Sequence, residues 1–330
     1  MIYNYNNLYR LLDNFKDKNI LVIGDIMLDK YIFGEVSRIS PEAPVQIVDV
    51  LRERYVPGGA ANVANNIVAL DGTAFMIGLV GKDETGEKLI SELKKRDICT
   101  NGIFIDNERP TIQKVRILGK NQQLLRIDFE EIKPLEKNMG ERIENYIKES
   151  IKDIDVTVVS DYAKGIITRD LMKFIVGLCK IHKKILIIDP KPQHKSYYKG
   201  ATLITPNHKE ASEMTGIDGK SDKEVEKIGK KLLEELDTTI LLTRGDKGMS
   251  LFEINGKITH IPTKAKEVYD VSGAGDTVVG VLALALAAGA SLKEAAILAN
   301  HAAGVTVGKL GTSIVTIDEI KNNLKHEQKN

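Results

Sequence analysis

The sequence predicts an α/β protein with a mostly parallel central sheet flanked by helices and a small β lid. Short apolar, β-branched runs such as NILVIGD, DVTVVSDY and ILIIDPK are typical of buried strands. Stretches with helical spacing, among them GGAANVANNIVALDG and DKEVEKIGKKLLEELD, alternate with these runs, as in the crossover units of a parallel sheet. Two extended segments near residues 30–56 and 111–129 have no helical partner, and they form the predicted lid.

The predicted elements follow one another in a regular order. The strand in NILVIGD precedes the first lid segment and a helix that ends at Gly72. Next come a strand in TAFMIGLVG, a helix in ETGEKLISELKKRD and the second lid segment, with a turn near Gly119 and Asn121. After it come DVTVVSDY, the helix TRDLMKFIVGLCKIHKK, the strands ILIIDPK and ATLITPN, a further helix and two strands in TTILLTRGDKGMSLFE. Because no linker, repeat or charge block interrupts the chain, we expect residues 1–330 to form a single domain.

The composition is that of an ordinary globular protein with no general preference for a charged partner. Of the 330 residues, 42% are hydrophobic and 28% are charged, and the formal net charge is +1. This balance provides no general attraction to nucleic acid or to an anionic membrane, so neither is an expected partner. An anionic ligand must therefore be bound by local groups.

Cysteines, histidines and apolar runs exclude several other classes of protein. Cys99 and Cys179 lie far apart, and the six histidines lack metal-ligand spacing, so we expect neither a disulfide framework nor a zinc site. The N-terminal residues MIYNYNNLYRLLDNF lack the continuous apolar core of a signal peptide. The apolar run after Asp276 is shorter than the ~20 residues of a membrane span. We expect a cytoplasmic protein.

The segment DVSGAGDT places an acid between a bare backbone turn and a long apolar run that indicates a buried helix. Ligands of open parallel sheets bind beyond the carboxyl ends of the strands, where helices begin and backbone N–H groups lack partners. Because Gly273, Ala274 and Gly275 carry almost no side chain, a transferring phosphoryl group can approach their amides closely. Asp276 would lie beside this anion and accept the proton of an attacking hydroxyl. For an isolated motif, the alternative is a simple turn with a favourable acid in the first helical turn.

Other nucleotide-binding motifs do not fit the sequence. In GKDETGEK, Glu87 stands where a P-loop has its lysine. The first strand leads into GDIMLD, which is not the glycine pattern of a dinucleotide-binding fold. The H-R-D and D-F-G elements of protein kinases are also missing.

Five motifs occur along the chain in this order: PGGAANVANNIVALDG, GLVGKDETG, TPNHKEA, LLTRGDKG and DVSGAGDT. In this order and spacing they resemble the ribokinase or PfkB family of sugar kinases, and the resemblance covers nearly the whole chain. It implies a ribokinase-like fold, ATP as co-substrate and Mg²⁺ as metal ion, with K⁺ as a further cation.

Four other stretches are similar to one group within that family, the D-glycero-β-D-manno-heptose 7-phosphate kinases. These stretches are GDIMLDKYIFGEVSRISPEAPVQIV, QQLLRIDFE, SDYAKG and VGKLGTS. The similarity implies phosphorylation of the anomeric hydroxyl to give the 1,7-bisphosphate, in the synthesis of precursors for surface polysaccharide. Such kinases are often fused to a nucleotidylyltransferase. Because the sequence ends soon after the kinase motifs, we expect the kinase activity alone.

The family resemblance assigns roles around the glycine-rich loop. It makes Asp276 the catalytic base and the backbone of residues 273–276 the anion hole, in agreement with the physical argument from the residues. Asp270 and Ser272 match positions that offer oxygens to a monovalent cation behind the loop. The alternative for these two residues is a strand end capped by polar side chains.

For the sugar, the resemblance points to Asp29, Gly58, Gly59 and Asn62. A carboxylate can accept two sugar hydroxyls, glycines let a ring approach the backbone, and an asparagine both donates and accepts. Read without the resemblance, Gly58 and Gly59 are a turn before a helix, and Asp29 is an ordinary surface acid.

A phosphorylated sugar needs further cations, and the lid and two loops after strands offer them. Guanidinium groups bind phosphate oxygens bidentately, and lysine supplies a point charge. Most of the 47 Lys and Arg residues must simply be solvated. Our first candidate is Lys164 in SDYAKG, where Asp161 would orient the loop, followed by Arg126 and Lys191. The remaining candidates are Arg38 and Arg116.

For the nucleotide, the resemblance indicates two loops and one helix. In TPNHKE, residues Asn207, His208, Lys209 and Glu210 match phosphate contacts, and Glu210 would bind Mg²⁺ through water. A loop followed by a helix N-terminus is the structural alternative. The loop after LLT would lie under the ATP phosphates and ribose, through Thr243, Arg244, Gly245 and Gly248. Asn300 or His301 would lie at the edge of the adenine, although a histidine there could equally be a core residue.

Three functions therefore remain open. The first is an ATP-dependent heptose 7-phosphate kinase, and the second is a kinase for another sugar, sugar phosphate or nucleoside. The third is a nucleotide-binding regulator without activity, which the intact GAGD segment argues against. Because an extended exposed lid tends to pair with another edge, we expect a homodimer through the lid.

Overall fold

A computed structural model describes residues 4–120, 122–263, 271–309 and 313–328, and all structural statements refer to these residues. The strands in chain order are β1 (Asn19–Gly24), β2 (Ile26–Ile39), β3 (Gln46–Gly59), β4 (Thr73–Gly81), β5 (Cys99–Asp106), β6 (Gln113–Gly119), β7 (Gln122–Phe129), β8 (Val156–Ser160), β9 (Ile185–Asp189), β10 (Leu203–Ile204), β11 (Thr239–Thr243), β12 (Met249–Phe252) and β13 (Ile258–Ile261). The helices are α1 (Tyr5–Asp13), α2 (Ala60–Ala69), α3 (Glu84–Lys94), α4 (Lys137–Ser150), α5 (Arg169–Ile181), α6 (His208–Thr215), α7 (Asp222–Leu236), α8 (Ala274–Ala287), α9 (Leu292–Thr306) and α10 (Ile317–Gln328).

The central sheet has the strand order β13-β12-β11-β10-β9-β8-β1-β4-β5. The strands from β11 to β5 in this order run parallel, whereas β12 and β13 add an antiparallel edge. Strand β1 explains why such strands are apolar throughout. Its Ile20 and Val22 pack in the layer that contains α2, α8 and α9, while Leu21 and Ile23 pack in the opposite layer with α5 and α7. Helices cover both faces, as predicted.

The lid is a separate sheet of β3, β2, β6 and β7. Strand β2 pairs antiparallel with β3 and parallel with β6, which in turn pairs antiparallel with β7. The lid begins earlier than the sequence pattern indicates, because β2 starts at Ile26, directly after the central strand β1. The turn predicted near Gly119 and Asn121 connects β6 and β7, although Asn121 itself lies outside the described residues.

One predicted strand is much shorter than expected. The run ATLITPN contributes only Leu203–Ile204 as β10. Pro206 has no N–H to continue the ladder, and Asn207 already caps the next helix, α6. This early stop brings the start of α6 to the carboxyl edge of the sheet.

Helix α8 is buried around most of its circumference, as the apolar run after Asp276 predicts. It packs against α2 and α9 on one face of the sheet. Gly273 caps its N-terminus with φ of 78°, a left-handed conformation that glycine adopts without strain. Among the described residues, no helix is long and apolar enough to cross a membrane.

Candidate active site

Asp276 lies in the first turn of α8 at the carboxyl edge of the central sheet, with 6% of its surface exposed. Its Oδ2 accepts a hydrogen bond from Asn62 Nδ2 at 2.7 Å, and its Oδ1 accepts one from the Tyr162 hydroxyl at 3.0 Å. These two donors come from α2 and from the loop after β8, so two segments distant in sequence orient the carboxylate that α8 carries.

The surroundings of Asp276 tune its acidity towards neutral pH. Burial raises the pKa of Asp276 to about 6, while the bonds from Asn62 and Tyr162 and the charge of Lys191 limit this rise. A carboxylate with this pKa is mostly ionised at pH 7.5 and binds a proton more readily than an exposed aspartate. It can therefore serve as a general base.

The backbone before Asp276 leaves part of the predicted anion hole available. The Ala274 amide donates to Val271 O at 3.3 Å, so this amide already has a partner. In the described parts of the chain, no carbonyl accepts a hydrogen bond from the amide of Gly275 or Asp276. A Cβ atom added to Gly275 would meet no atom within 4 Å, so there is open space for a ligand at this turn.

A polar cavity of about 180 Å³ opens beside Asp276. Its acidic and basic side chains are Asp189 at the end of β9, Lys191 just after it and Glu210 in α6. Lys191 Nζ donates to Glu210 Oε1 at 2.6 Å. Burial alone would lower the pKa of Lys191, but Glu210 and Asp189 raise it, so the lysine remains charged. The structure thus places Lys191 in the same cavity as Asp276.

The TPNHKE loop contributes only part of the predicted set. Asn207 and Glu210 form a capping box, in which Asn207 Oδ1 accepts the amide of Glu210 and Glu210 Oε2 accepts the amide of Asn207. His208 and Lys209 face away from the cavity. The His208 ring lies 2.8 Å from Gly219 O, and the Lys209 side chain is 86% exposed. The helical period explains this, because successive residues of α6 point in different directions.

A second, more apolar cavity of about 300 Å³ adjoins the first and shares Thr243, Gly275 and Val278 with it. Its lining also includes the predicted Gly245, Gly248 and Asn300. The Nδ2 atom of Asn300 donates to Pro262 O at 2.7 Å. The two cavities form one cleft that runs from Asp276 to an apolar end.

Two predicted nucleotide contacts lie outside this second cavity. The guanidinium of Arg244 bonds to Ser250 Oγ and pairs with Asp222, because its side chain turns towards α7. His301 is 1% exposed and faces α10, where its Nδ1 lies 2.6 Å from Asn323 Oδ1. The core alternative for this histidine is therefore the one that the packing supports.

The predicted sugar residues lie outside the two cavities, and one of them, Asn62, bonds to Asp276. Asp29 is 4% exposed, and its Oδ1 accepts a hydrogen bond from Arg116 Nη1 at 2.6 Å. Burial raises the pKa of Asp29, and Arg116 opposes this rise. A Cβ on Gly58 would lie 2.7 Å from Asp29 Oδ2, so only glycine allows this approach. The Oδ1 of Asn62 is buried without a hydrogen-bond partner among the described residues, which leaves an acceptor for a ligand hydroxyl.

Gly59 and the proposed cation ligands complete the predicted set. Gly59 caps α2 with φ of 59°, and a Cβ there would lie 2.4 Å from Asp25 O. Its requirement for glycine is thus structural. Asp270 lies outside the described residues, and Ser272 is in the turn before α8.

The candidate phosphate-binding cations of the acceptor side differ in their environments. Lys164 Nζ lies 2.5 Å from Glu130 and is partly buried. Arg126 pairs with Asp128 and is half-exposed. Arg38 is 67% exposed far along the lid, which separates it from the cations near Asp29.

A family profile described as pfkB family carbohydrate kinase matches residues 17–319. The chain belongs to the pfkB family of carbohydrate kinases. It is 44% identical over 314 residues to the bifunctional protein HldE of Desulfatibacillum aliphaticivorans, and over 315 residues to that of Geobacter metallireducens. Each match covers 95% of this chain and 64% of the relative, so the chain spans less than two thirds of these curated relatives.

Solved structures of the pfkB fold agree with the architecture. Phosphofructokinase-2 from Escherichia coli, in complex with potassium, gives a TM-score of 0.76 at 19% identity and covers 95% of this chain and 99% of its own. Ribokinase from Arabidopsis thaliana, complexed with ribose and ATP, gives 0.73 at 21% identity and covers 94% and 99%. The predicted ribokinase-like fold is confirmed.

Two residues of this pfkB kinase site were not predicted from the sequence. Asp25, which directly follows β1, is 4% exposed, and its Oδ2 accepts the amides of Tyr162 and Lys164 at 3.0 and 3.1 Å. Its Oδ1 accepts the amide of Ile166 at 3.3 Å. Tyr162 is the second residue, because its hydroxyl bonds to Asp276. Asp25 is in the quoted stretch GDIMLD and Tyr162 is in SDYAKG, but nothing in the sequence spacing reveals that the two stretches meet.

The loop after β8 is also fixed from its other side. Asp161 is 1% exposed, and its Oδ1 accepts the amide of Ala163 at 2.7 Å. Its Oδ2 lies 2.7 Å from both the Tyr198 hydroxyl and His194 Nδ1. Asp161 thus holds the loop that carries Tyr162.

Removing the Tyr162 hydroxyl should shift the pH dependence of this pfkB kinase. In Tyr162→Phe the ionised form of Asp276 loses a hydrogen bond, so the pKa of Asp276 should rise above about 6. The acidic limb of kcat/KM should move upward by about one to two pH units, and the rate at alkaline pH should recover. Rate profiles between pH 5 and 9 measure this shift. An equal loss of rate at every pH would contradict it.

Proposed function

We propose that this chain transfers the γ-phosphoryl group of ATP to the anomeric hydroxyl of D-glycero-β-D-manno-heptose 7-phosphate. The product would be the 1,7-bisphosphate. The observation that carries the proposal is the convergence of the buried, tuned Asp276 carboxylate with the open Gly275 amide at the head of one cleft.

The proposed mechanism is an in-line displacement on the γ-phosphorus. The acceptor oxygen forms a bond to this phosphorus, the bond to the bridging oxygen breaks, and ADP leaves. The proton of the acceptor hydroxyl passes to the Asp276 carboxylate. Asp29 and the unpaired Asn62 Oδ1 would accept hydrogen bonds from sugar hydroxyls and hold the ring over Asp276.

The transferring group would be stabilised by the protein's own donors. The amides of Gly275 and Asp276 and the ammonium of Lys191 lie around the polar cavity. Such preorganised donors act where negative charge builds up. The apolar cavity with Gly245, Gly248 and Asn300 would hold the nucleoside, and the ribokinase solved with ribose and ATP supports ATP as donor.

The acidic groups of the polar cavity suit a magnesium ion shared with the nucleotide. Burial and the charges of Glu210 and Asp276 raise the pKa of Asp189 well above its usual range, so a cation there would relieve repulsion. In the described parts of the chain, no cluster of three or more His, Cys, Asp or Glu residues could hold a metal without the nucleotide. Asp189 and Glu210 would therefore act together with water and phosphate oxygens, and the ion would neutralise phosphate charge.

A monovalent cation such as K⁺ is the further proposal at this loop. It rests on the resemblance at Asp270 and Ser272 and on the related fold solved in complex with potassium.

The identity of the acceptor rests on three supports. The similarity of SDYAKG and the lid segments to heptose 7-phosphate kinases is the first, and the relatives named HldE are the second. The third is the set of cations near Asp29, which an uncharged sugar would not need. Together they favour a phosphorylated heptose over a free sugar or a nucleoside.

An acceptor panel tests the proposal. With ATP and Mg²⁺, we expect kcat/KM for heptose 7-phosphate to exceed that for the same heptose without phosphate, for ribose and for adenosine by at least about 100-fold. Coupled detection of ADP measures the rates. Equal turnover of a free sugar would move the assignment to another sugar kinase, and no turnover of any acceptor would favour a nucleotide-binding regulator.

The predicted homodimer through the lid remains a proposal. Several lid residues expose large apolar side chains to solvent, among them Ile39, Leu51, Leu125 and Phe129. A second copy that covers these side chains would remove them from water and pair an exposed lid edge.

A further inference from the structure

The cations on the acceptor side of the lid are all held by carboxylates. The strand register sets Asp29 beside Lys114 and Arg116 beside Arg126, with Asp128 opposite Lys114. Because paired residues of neighbouring strands point to the same face, these side chains share the face that carries Asp29. An anionic group of a ligand must therefore replace one of these carboxylates if it is to bind the cations.

Glu130 lies between two lysines from different parts of the chain. Its Oε1 accepts a hydrogen bond from Lys164 Nζ at 2.5 Å, and its Oε2 accepts one from Lys114 Nζ at 3.4 Å. Lys114 belongs to β6, and Lys164 belongs to the loop after β8. The two lysine side chains are only 15% and 18% exposed. Two partly desolvated ammonium groups thus converge on one anion.

This anion position lies near the reacting acid, on the acceptor side. Lys164 follows Tyr162 by two residues, so their Cα atoms are at most about 7 Å apart. Asp25 fixes both of these residues through their amides, and Tyr162 bonds to Asp276. On the lid side, the charge of Asp29 acts on Asp276, and Lys114 lies beside Asp29 in the strand register. A sugar that reaches both aspartates therefore lies close to the lysines that hold Glu130.

We propose that Glu130 occupies the binding site for a phosphate monoester of the acceptor, and that Lys114 and Lys164 bind this phosphate once the Glu130 carboxylate moves away. This inference rests on the function proposed above. A phosphate monoester carries about −1.5 to −2 charges and three acceptor oxygens, so it satisfies two ammonium groups better than one carboxylate does.

Glu130 is a carboxylate that can leave the two lysines at a small cost. It follows the last residue of β7, its side chain is 22% exposed, and its hydrogen bonds are to the two lysines. Asp29, in contrast, is buried within β2 and paired with Arg116. An acceptor without phosphate offers no replacement for the Glu130 carboxylate. The two lysines and Glu130 would therefore distinguish phosphorylated from unphosphorylated sugars.

Kinetics with two acceptors test this site. For Lys114→Met and Lys164→Met, we expect KM for heptose 7-phosphate to rise by about 10- to 100-fold, with little change for the same heptose without phosphate. For Glu130→Gln, we expect KM for the phosphorylated acceptor to fall, because the competing carboxylate is gone. Lys30→Met is the matched control. Lys30 is an ion-paired lid lysine next to Asp29, but it points to the opposite face and should leave both acceptors unchanged.

Titration with inorganic phosphate tests the site without turnover. Phosphate should bind more tightly to Glu130→Gln than to the natural chain and more weakly to Lys114→Met, whereas Lys114→Arg should retain binding. This order of phosphate affinities is expected whichever sugar is the acceptor. It therefore tests the phosphate site separately from the proposed function. Equal phosphate affinity in all variants would overturn the inference. So would a Glu130→Gln variant whose KM rises as in the lysine variants, or lysine variants that affect both acceptors equally.

Discussion

Asp276→Asn is expected to lower turnover by about 10²- to 10⁴-fold, because the amide cannot accept the proton of the acceptor hydroxyl. Asparagine has nearly the same size and can still pair with Asn62 and Tyr162. ATP affinity should therefore stay close to that of the natural chain. Initial rates and calorimetric titration of ATP measure the two quantities. A variant with undiminished turnover would remove Asp276 from the role of base.

The same substitution should stabilise the fold at neutral pH. The pKa of Asp276 is raised from 3.8 to about 6 by burial, so the ionised form costs stability in the folded state. The stability contributed by the protonated carboxyl is complete below about pH 4 and is lost as pH rises through about 6. At pH 7.5 asparagine should raise the free energy of unfolding by up to about 3 kcal/mol. Denaturant unfolding at pH 4 and 7.5 should show this gain only at the higher pH.

Asp83→Asn is the control, because it should change the free energy of unfolding in the opposite direction. Burial alone would raise the pKa of Asp83, but hydrogen bonds from Thr111 and Gly86 lower it below its usual value. The ionised form of Asp83 therefore stabilises the fold, above all at neutral pH. Its asparagine variant should lose stability at pH 7.5 and keep its turnover. If both aspartates respond alike, the stabilisation of Asp276→Asn does not come from the buried charge.

The parts of the site that sequence reasoning predicted are those built within one short segment. The glycine-rich turn and Asp276 are adjacent in the chain, and the start of a buried helix fixes their geometry. Asn207 and Glu210 follow the N-x-x-E spacing of a capping box, a local rule that could have shown why both stay in place. The fold class was predictable for the same reason, since apolar and amphipathic runs alternate along the chain.

The parts that sequence reasoning did not predict depend on pairing between distant segments. The pairing of Lys191 with Glu210, which α6 brings to it across the edge of the sheet, is one example. In the lid, the parallel pairing of β2 with β6 sets Lys114 beside Asp29, which a hairpin pattern cannot indicate. Charge alone does not identify such residues, because lysines and arginines are common on the surface and many of them form only exposed ion pairs.

Asp25→Ala should produce the second large effect, a combined loss of stability and of turnover. The three amides that Asp25 holds, those of Tyr162, Lys164 and Ile166, would lose their acceptor in a buried position. Since a buried donor without a partner costs roughly 1–3 kcal/mol, and the cost of burying the Asp25 charge is removed, we expect a net loss of about 2–4 kcal/mol. Thermal and denaturant unfolding measure this loss.

Turnover of Asp25→Ala should fall by about 10- to 100-fold, because the loop that orients Asp276 through Tyr162 would shift. Asp155→Ala is the matched control at the opposite end of β1. Asp155 Oδ2 accepts the amide of Asn19 at 2.8 Å, far from the cleft. It should lose stability without losing kcat when assayed well below its melting temperature. If Asp25→Ala behaves like this control, the hydrogen bonds of Asp25 support only the fold. The position of Tyr162 must then be set by Asp161 and its partners.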